Sequence, residues 1–393
     1  MAIKTIEELE ALYYSPTGAE FIKKADAPLL TTTTGVYNPI YGALVWAQLN
    51  QEANAWGCLP KYVWSRSGWR ILTARAESVG LGVAESGALP DSIKPTFAQV
   101  STKPKTYPTV FEVSEVQQFM AAESEDDAFG SIEQMRVLMG IHHKEMLNKM
   151  LLHDVSADAL AASTHRGTQE DSTNWYNFES LDRIVSSDSE EDAFGGTYDQ
   201  WFDVYNSDGT FDRDSGTTYD ANVAHNSGTD RDLTDDLVRS LIQTNREKGG
   251  NPCLFITGHD TYSKLIGLYT TYVRYSPLGQ AKASVSVNGI STAEGYPVGI
   301  DIPTLYRIPI IVSKDVPKDI ISRMYLLDTS DVEGFGTPRI GVQICKPTQY
   351  FEAGMLTGNP FAIDKLSNKG MYRTMGETVC RAYNTQSKLR DLQ

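Results

Sequence analysis

The chain has 393 residues, 41% hydrophobic and 10% aromatic, which is enough apolar material for two or three packed units and excludes disorder as the default state. Its formal net charge of -15, with no basic run denser than Lys103-Pro104-Lys105, argues against nucleic-acid binding by phosphate neutralisation. Cys58, Cys253, Cys345 and Cys380 form no C-x-x-C pair, the acidic N-terminus lacks the apolar core of a signal peptide, and no apolar run is long enough to span a bilayer, so the reading is a protein made in a reducing interior with no membrane partner.

Residues 5–14 suit a short helix. The stretch 15–42 mixes Pro, Gly and four consecutive threonines with isolated apolar residues, and so would lie extended along another surface. From 43 to 56 the spacing of Leu44, Ala47, Ala53 and Trp56 is helical, with Gly57 as a stop. Two β-rich arms, 62–75 and 97–114, flank a middle holding Gly80, Gly82, Gly87 and Pro90, which predicts a projecting hairpin.

A helical region follows over 114–153. Ser131 and Gln134 have capping-box spacing, and Ile132, Met135, Met139, Met146 and Met150 fall near a 3.6-residue stripe. A helix over 131–153 would be roughly 34 Å long at about 1.5 Å per residue. Residues 186–232 turn rich in Asp, Ser, Thr, Gly and Asn and read as a surface excursion, pinned by Trp201, Phe202 and Tyr205. "SEDDAFGS" (124–131) and "SEEDAFGG" (189–196) echo each other but are too short for a repeat architecture.

Next come an amphipathic helix closed by glycines, "LTDDLVRSLIQTNREKGG", a buried-type strand, "NPCLFITG", and a further helix, "HDTYSKLIGLYTTYV". Strand patterns then recur at "LYRIPIIVSKDV", "RMYLLDTS", "RIGVQICK" and "GMYRTMGETVCRAYN". Helices and strands mix without strict βαβ alternation, so the class is α+β.

Three groups of residues carry possible chemistry. In "GIHHKEMLNKMLLHD" (140–154), His142 and Glu145 share a helix face, whereas His143 and His153 lie ten apart; the H-H-x-E order lacks the second histidine that a helical zinc site places one turn on. The competing reading turns Ile141, Met146, Met150 and Leu151 to a core and the histidines to solvent or a neighbour. In the second case protonation near the ordinary histidine pKa of about 6.5 would tune assembly.

Asn206, Asp208, Gly209, Asp212 and Asp214 suggest calcium, but the twelve-residue loop pattern wants acids where Val204 and Ser215 stand, and a solubilising loop is the simpler account. Nucleotide-loop spacings fail at "GLGVAESG" and "GFGTPRIG", and no G-x-S-x-G nucleophile elbow occurs. No catalytic residue, metal or cofactor is therefore expected.

The order of parts resembles the major capsid proteins of tailed bacteriophages and head-tailed archaeal viruses, the Hong Kong 97-type fold. "GGNPCLFITGHDTYSKLIGL" resembles that family's axial-domain strand and helix, "YRIPIIVSKDVP" its apolar strand with a polar turn, and "GMYRTMGETVCRAYN" its late strand. The resemblance implies an N-terminal arm (1–65), an extended loop (66–113), a peripheral domain with a spine helix (114–154), an axial domain (155–350) holding the acidic insertion (186–232), and a return to the peripheral domain (351–393).

It also implies pentamers and hexamers of an icosahedral head around double-stranded DNA, with possible scaffold, portal and decoration proteins as partners. Such a shell would assemble in the host cytoplasm and reside in the virion. Some relatives cross-link lysine to asparagine. No such bond is expected here, although Lys94, Lys103 or Lys105 would be donors, Asn359 or Asn368 acceptors, and Glu352 or Glu377 the proton acceptor. No long charged helical segment of the scaffolding kind precedes the arm. Alternatives are an encapsulin-like compartment shell and a metal-dependent enzyme built on His142, His143, Glu145 and His153.

Overall fold

The structure, a computed structural model, describes residues 53–74, 85, 87, 94–123, 132–155, 177–194, 220–273, 304–331, 336–354 and 365–393. The expected helix at 5–14, most of the helix at 43–56, Ser131 of the capping box, most of the hairpin tip and residues 195–219 of the acidic stretch lie outside them. The chain divides into two units. Among the described residues, the first takes in those within 107–146 and 346–374; the second takes in those within 53–106, 147–345 and 375–393.

In the first unit, residues 107–113 of strand β4 (Lys105–Ser114) alternate inward and outward side chains, leading into helix α2 (Glu115–Glu123) and then helix α3 (Ile132–Leu151) as far as Met146. Ile132 and Met135 of α3 bury against Phe111 and Val113, with Leu138, Met139, Tyr350 and Tyr372 closing the cluster. The Phe111 ring stacks on Tyr350 at 6.3 Å, and Tyr350 meets Tyr372 at 5.1 Å. Tyr372 donates to the Arg136 carbonyl at 2.8 Å, while the Arg136 guanidinium lies 4.4 Å over the Tyr350 ring.

In the second unit, six strands lie in the order β5 (Asn222–Ala224), β12 (Ser387–Leu389), β9 (Met324–Leu327), β6 (Leu254–Thr257), β8 (Ile308–Val312) and β7 (Thr304–Leu305). Pairs β12–β5 and β6–β8 are parallel; β12–β9, β6–β9 and β7–β8 are antiparallel. All four residues of β6 are buried, as a central strand with both faces covered requires.

Helix α6 (Asp235–Glu247) buries Val238, Leu241, Ile242 and Asn245 at helical spacing. The Thr234 hydroxyl accepts from the Leu237 N–H, Asp235 and Asp236 face the positive helix end, and Gly249 at φ +82° takes the left-handed turn that ends it. Gly258 joins β6 to helix α7 (His259–Val273) where any Cβ would collide with the Ser322 side chain. Asn148, at the end of α3, accepts from the Trp56 N–H at 3.0 Å and donates to Asp315 at 2.6 Å, fixing the short helix α1 (Asn54–Cys58).

Two expectations change. The arm at 97–114 is two strands, β3 (Thr96–Ser101) and β4, because Pro104 has no N–H to continue a ladder and the Thr102 N–H turns to the Ser67 carbonyl at 2.7 Å. β3 pairs with β2 (Gly68–Ala74) in a two-stranded ribbon from Gly68↔Ser101 to Ala74↔Thr96, with a bulge near Leu72. The strand begun by "RIGVQICK" runs on as β10 (Ile340–Gly354). Its neighbour β1 (Lys61–Val63) pairs only with Val342 to Ile344, so Pro347 interrupts no ladder on that side.

Residues 375–393 belong to the second unit. There β12 is an inner strand of the six, and Leu389 and Leu392 join the core. The described ends of the 186–232 stretch are partly buried and partly exposed, with Asp192, Ala193 and residues 226–229 at the surface. Ser186, Ser187, Glu190 and Glu191 are buried, and β5 pairs with β12.

Candidate functional site

The histidine stretch separates residue by residue. His142 is exposed, and its Nδ1 lies 4.0 Å from the Glu145 carboxylate. His143, expected on a solvated face, is only 1% exposed. Its Nδ1 is 2.7 Å from the Thr109 hydroxyl and its Nε2 2.7 Å from that of Thr374, which in turn meets Thr348 at 2.7 Å. The ring stacks on Tyr107 at 5.2 Å.

Burial first, and the neighbouring His142 second, press the His143 pKa down from 6.5 to about 4, so the imidazole is neutral at neutral pH. Both ring nitrogens are occupied by hydroxyls. Among the described residues no three His, Cys, Asp or Glu side chains gather as a metal set would require. Ile141, expected in the core, is 37% exposed, because the inward face of the helix runs from half-buried Met139 through buried His143 to half-buried Met146 and buried Leu147. His153 is half-buried.

The second unit holds a denser set of charges, missed in the sequence. Ser180 caps the one-turn helix α4 (Leu181–Ile184), and this places Asp182 in full burial. Asp182 Oδ1 accepts from Lys388 Nζ at 3.0 Å and from the Tyr325 hydroxyl at 2.8 Å; Oδ2 accepts from Arg323 Nη1 at 3.0 Å and from the Val155 N–H at 3.1 Å. Arg323 also reaches Asp154 and Asp319, each at 2.8 Å. Lys388 and Arg390 both reach Glu190 Oε1 at 2.7 Å, from helix α5 (Asp188–Phe194). Burial alone would raise the Asp182 pKa; Lys388, Arg323 and Arg390 outweigh it and hold the carboxyl well below the usual range.

Beside this lies a second buried group. Lys105 Nζ, at the start of β4, is 2.8 Å from Glu377 Oε2 on β11 (Ser367–Cys380) and 3.2 Å from Glu179 Oε1. Arg183 Nη1 holds Glu179 at 3.0 and 3.3 Å. Glu377 Oε1 accepts from the backbone N–H groups of Glu179 at 2.7 Å and Thr378 at 2.9 Å. Burial raises the Glu377 pKa more than Lys105 lowers it, and Glu179 raises it further.

Of the cross-link candidates, then, Lys105 and Glu377 come together, with Glu179 as an unforeseen third member. Lys94 and Lys103 are exposed. Asn368 is buried in the first unit and donates to Gln118 at 2.5 Å, while Glu352 accepts from Tyr350 at 3.2 Å. Asn359 and the calcium candidates Asn206, Asp208, Gly209, Asp212 and Asp214 lie outside the described residues.

No protein-family model matches the sequence, and no curated protein does. Solved structures do. A chain of the capsid asymmetric unit of cyanophage A-1(L) superposes with a TM-score of 0.59 at 15% identity, over 92% of this chain and 98% of that one. The capsid of the native GTA particle gives 0.50 at 9% identity, over 96% and 97%. With its mixed sheets, long helix α3 and β2–β3 ribbon, the chain has the Hong Kong 97-type major capsid fold.

Proposed function

We propose that the protein is the major capsid subunit of a tailed or head-tailed virus. It assembles as pentamers and hexamers into an icosahedral head around double-stranded DNA, without catalysis. The observation that carries this reading is the likeness to the cyanophage A-1(L) capsid chain across nearly the whole of both chains. A closed shell repeats heterologous contacts about five-fold and quasi-six-fold axes, and segments that cannot bury themselves serve as the reaching parts. The N-terminal arm and the ribbon of β2 and β3 fit that role: a two-stranded ribbon is marginal alone in water, and here Leu72 and its cross-strand partner Phe97 are both exposed.

The net charge of -15 suits a wall past which a genome slides. Portal, scaffold and decoration proteins are the candidate partners of such a head, host cytoplasm the place of assembly, and the virion its destination. Negative-stain microscopy of the purified full-length chain tests the reading. Five- and six-membered rings or closed shells are expected, and a lone monomer or dimer contradicts it. Particles filled with a cargo protein instead of nucleic acid would point to a compartment shell of the encapsulin kind.

A further inference from the structure

We propose that Lys105 and Glu377 are joined by an amide bond formed inside the folded subunit, with Glu179 as the proton carrier. This differs from a lysine–asparagine bond between subunits. It needs no neighbour, and all its members lie in the second unit.

Four observations converge on it. The nucleophile and the electrophile are held together: Lys105 Nζ is 2.8 Å from Glu377 Oε2, and both side chains are buried, so the encounter that a solution reaction waits for is already made. The future amide oxygen is cradled. Glu377 Oε1 sits on two backbone N–H donors, at 2.7 and 2.9 Å, the arrangement that stabilises an oxyanion as a carbonyl carbon is attacked.

The leaving oxygen is unencumbered, since apart from the ammonium Oε2 is buried without a hydrogen-bond partner. A base stands ready in Glu179, 3.2 Å from the same nitrogen and held through both of its oxygens by Arg183. The raised pKa of Glu377 favours its acid form, the one that loses water.

In the step itself, Glu179 takes a proton from the Lys105 ammonium and the amine adds to Cδ of protonated Glu377. The Cδ–Oε2 bond then breaks, and Oε2 leaves as water with its own proton and the one Glu179 returns. Glu179 accepts the second nitrogen proton and passes it to solvent. One C–N bond replaces one C–O bond, one water is released, and nothing is oxidised or reduced. The product ties the start of β4 to β11, closing a loop of most of the chain.

Intact-mass spectrometry of the folded full-length chain tests this. The expected mass is one water below that of the sequence, with a branched peptide joining the segments that carry Lys105 and Glu377. Lys105→Met restores the full mass. Glu179→Gln, confirmed folded by its circular dichroism, slows bond formation on the order of 10²–10⁴-fold. A folded parent chain at its full sequence mass overturns the proposal, as does a water loss that survives Lys105→Met. Bond formation at the parental rate in Glu179→Gln overturns the part given to Glu179.

Discussion

The two units solve the same problem, a polar group inside a core, in opposite ways. Around Asp182 the second unit buries full charges, and every oxygen of that carboxylate meets a cation and one further donor. Around His143 the first unit buries a group that could be charged but keeps it neutral between two threonine hydroxyls, with aromatic rings as its wall. A buried charge is tolerated only where several segments bring compensating partners, and Asp182 draws them from residues as distant as 323 and 388. Where the neighbours are hydroxyls and rings, burial wins and the proton is excluded.

The largest expected effect breaks the ionic side of that contrast. Asp182→Asn leaves Lys388 and Arg323 buried with their shared acceptor uncharged, and urea denaturation should register a loss of about 3–5 kcal/mol. A loss within about 0.5 kcal/mol would mean that the cluster is not cohesive.

A pH series sharpens the contrast further. The folded pKa of His143 is depressed to about 4 from 6.5, so the unfolded chain binds more protons in that window. Its contribution is therefore complete above 6.5 and is lost as pH falls toward 4, a change of up to about 3 kcal/mol. His143→Gln can bridge both threonines without titrating, so the difference in stability between parent and variant should shrink or reverse on acidification.

Asp182, also depressed, keeps its contribution above 3.8 and adds no slope there. Glu377 has no carboxyl to titrate once its amide to Lys105 has formed; unbonded, with its pKa raised from 4.5, it contributes with the opposite sign, and in either state it is common to both proteins and cancels in the difference. A parent-minus-variant difference that stays flat from pH 7 to pH 4.5 would remove His143 from the account.

The smallest effect is a control outside both clusters. In the turn between β7 and β8, Tyr306 and Arg307 have φ of 51° and 69°, a left-handed pair without glycine. Arg307→Gly should stabilise by about 1 kcal/mol in the same denaturation assay and leave the pH slope unchanged.

How legible these features were in the sequence depends on how local their causes are. Helix α6 could be read from a spaced apolar face and closing glycines, and strand β6 from a short apolar run, each within one segment. The buried place of His143 was half-written: the stripe from Ile132, Met135 and Met139 to Met146 and Met150 skips one turn, and His143 fills it. The length of β10 was hidden by Pro347, whose harmlessness depends on how short its neighbour β1 is.

The two charge clusters had the weakest signal. "FESLDRIV" and "SKLRDL" set charges among apolar residues, a mark of burial, but which acid meets which base is decided by segments some two hundred residues apart. No spacing rule carries that information.

The central claim is that this chain builds a shell, and the most direct measurement is the mass of the purified full-length protein in solution by multi-angle light scattering. The account predicts species at five or six times the 43.5 kDa chain mass, or far larger closed particles. A single species at one or two chain masses, unchanged across concentration and salt, would contradict it.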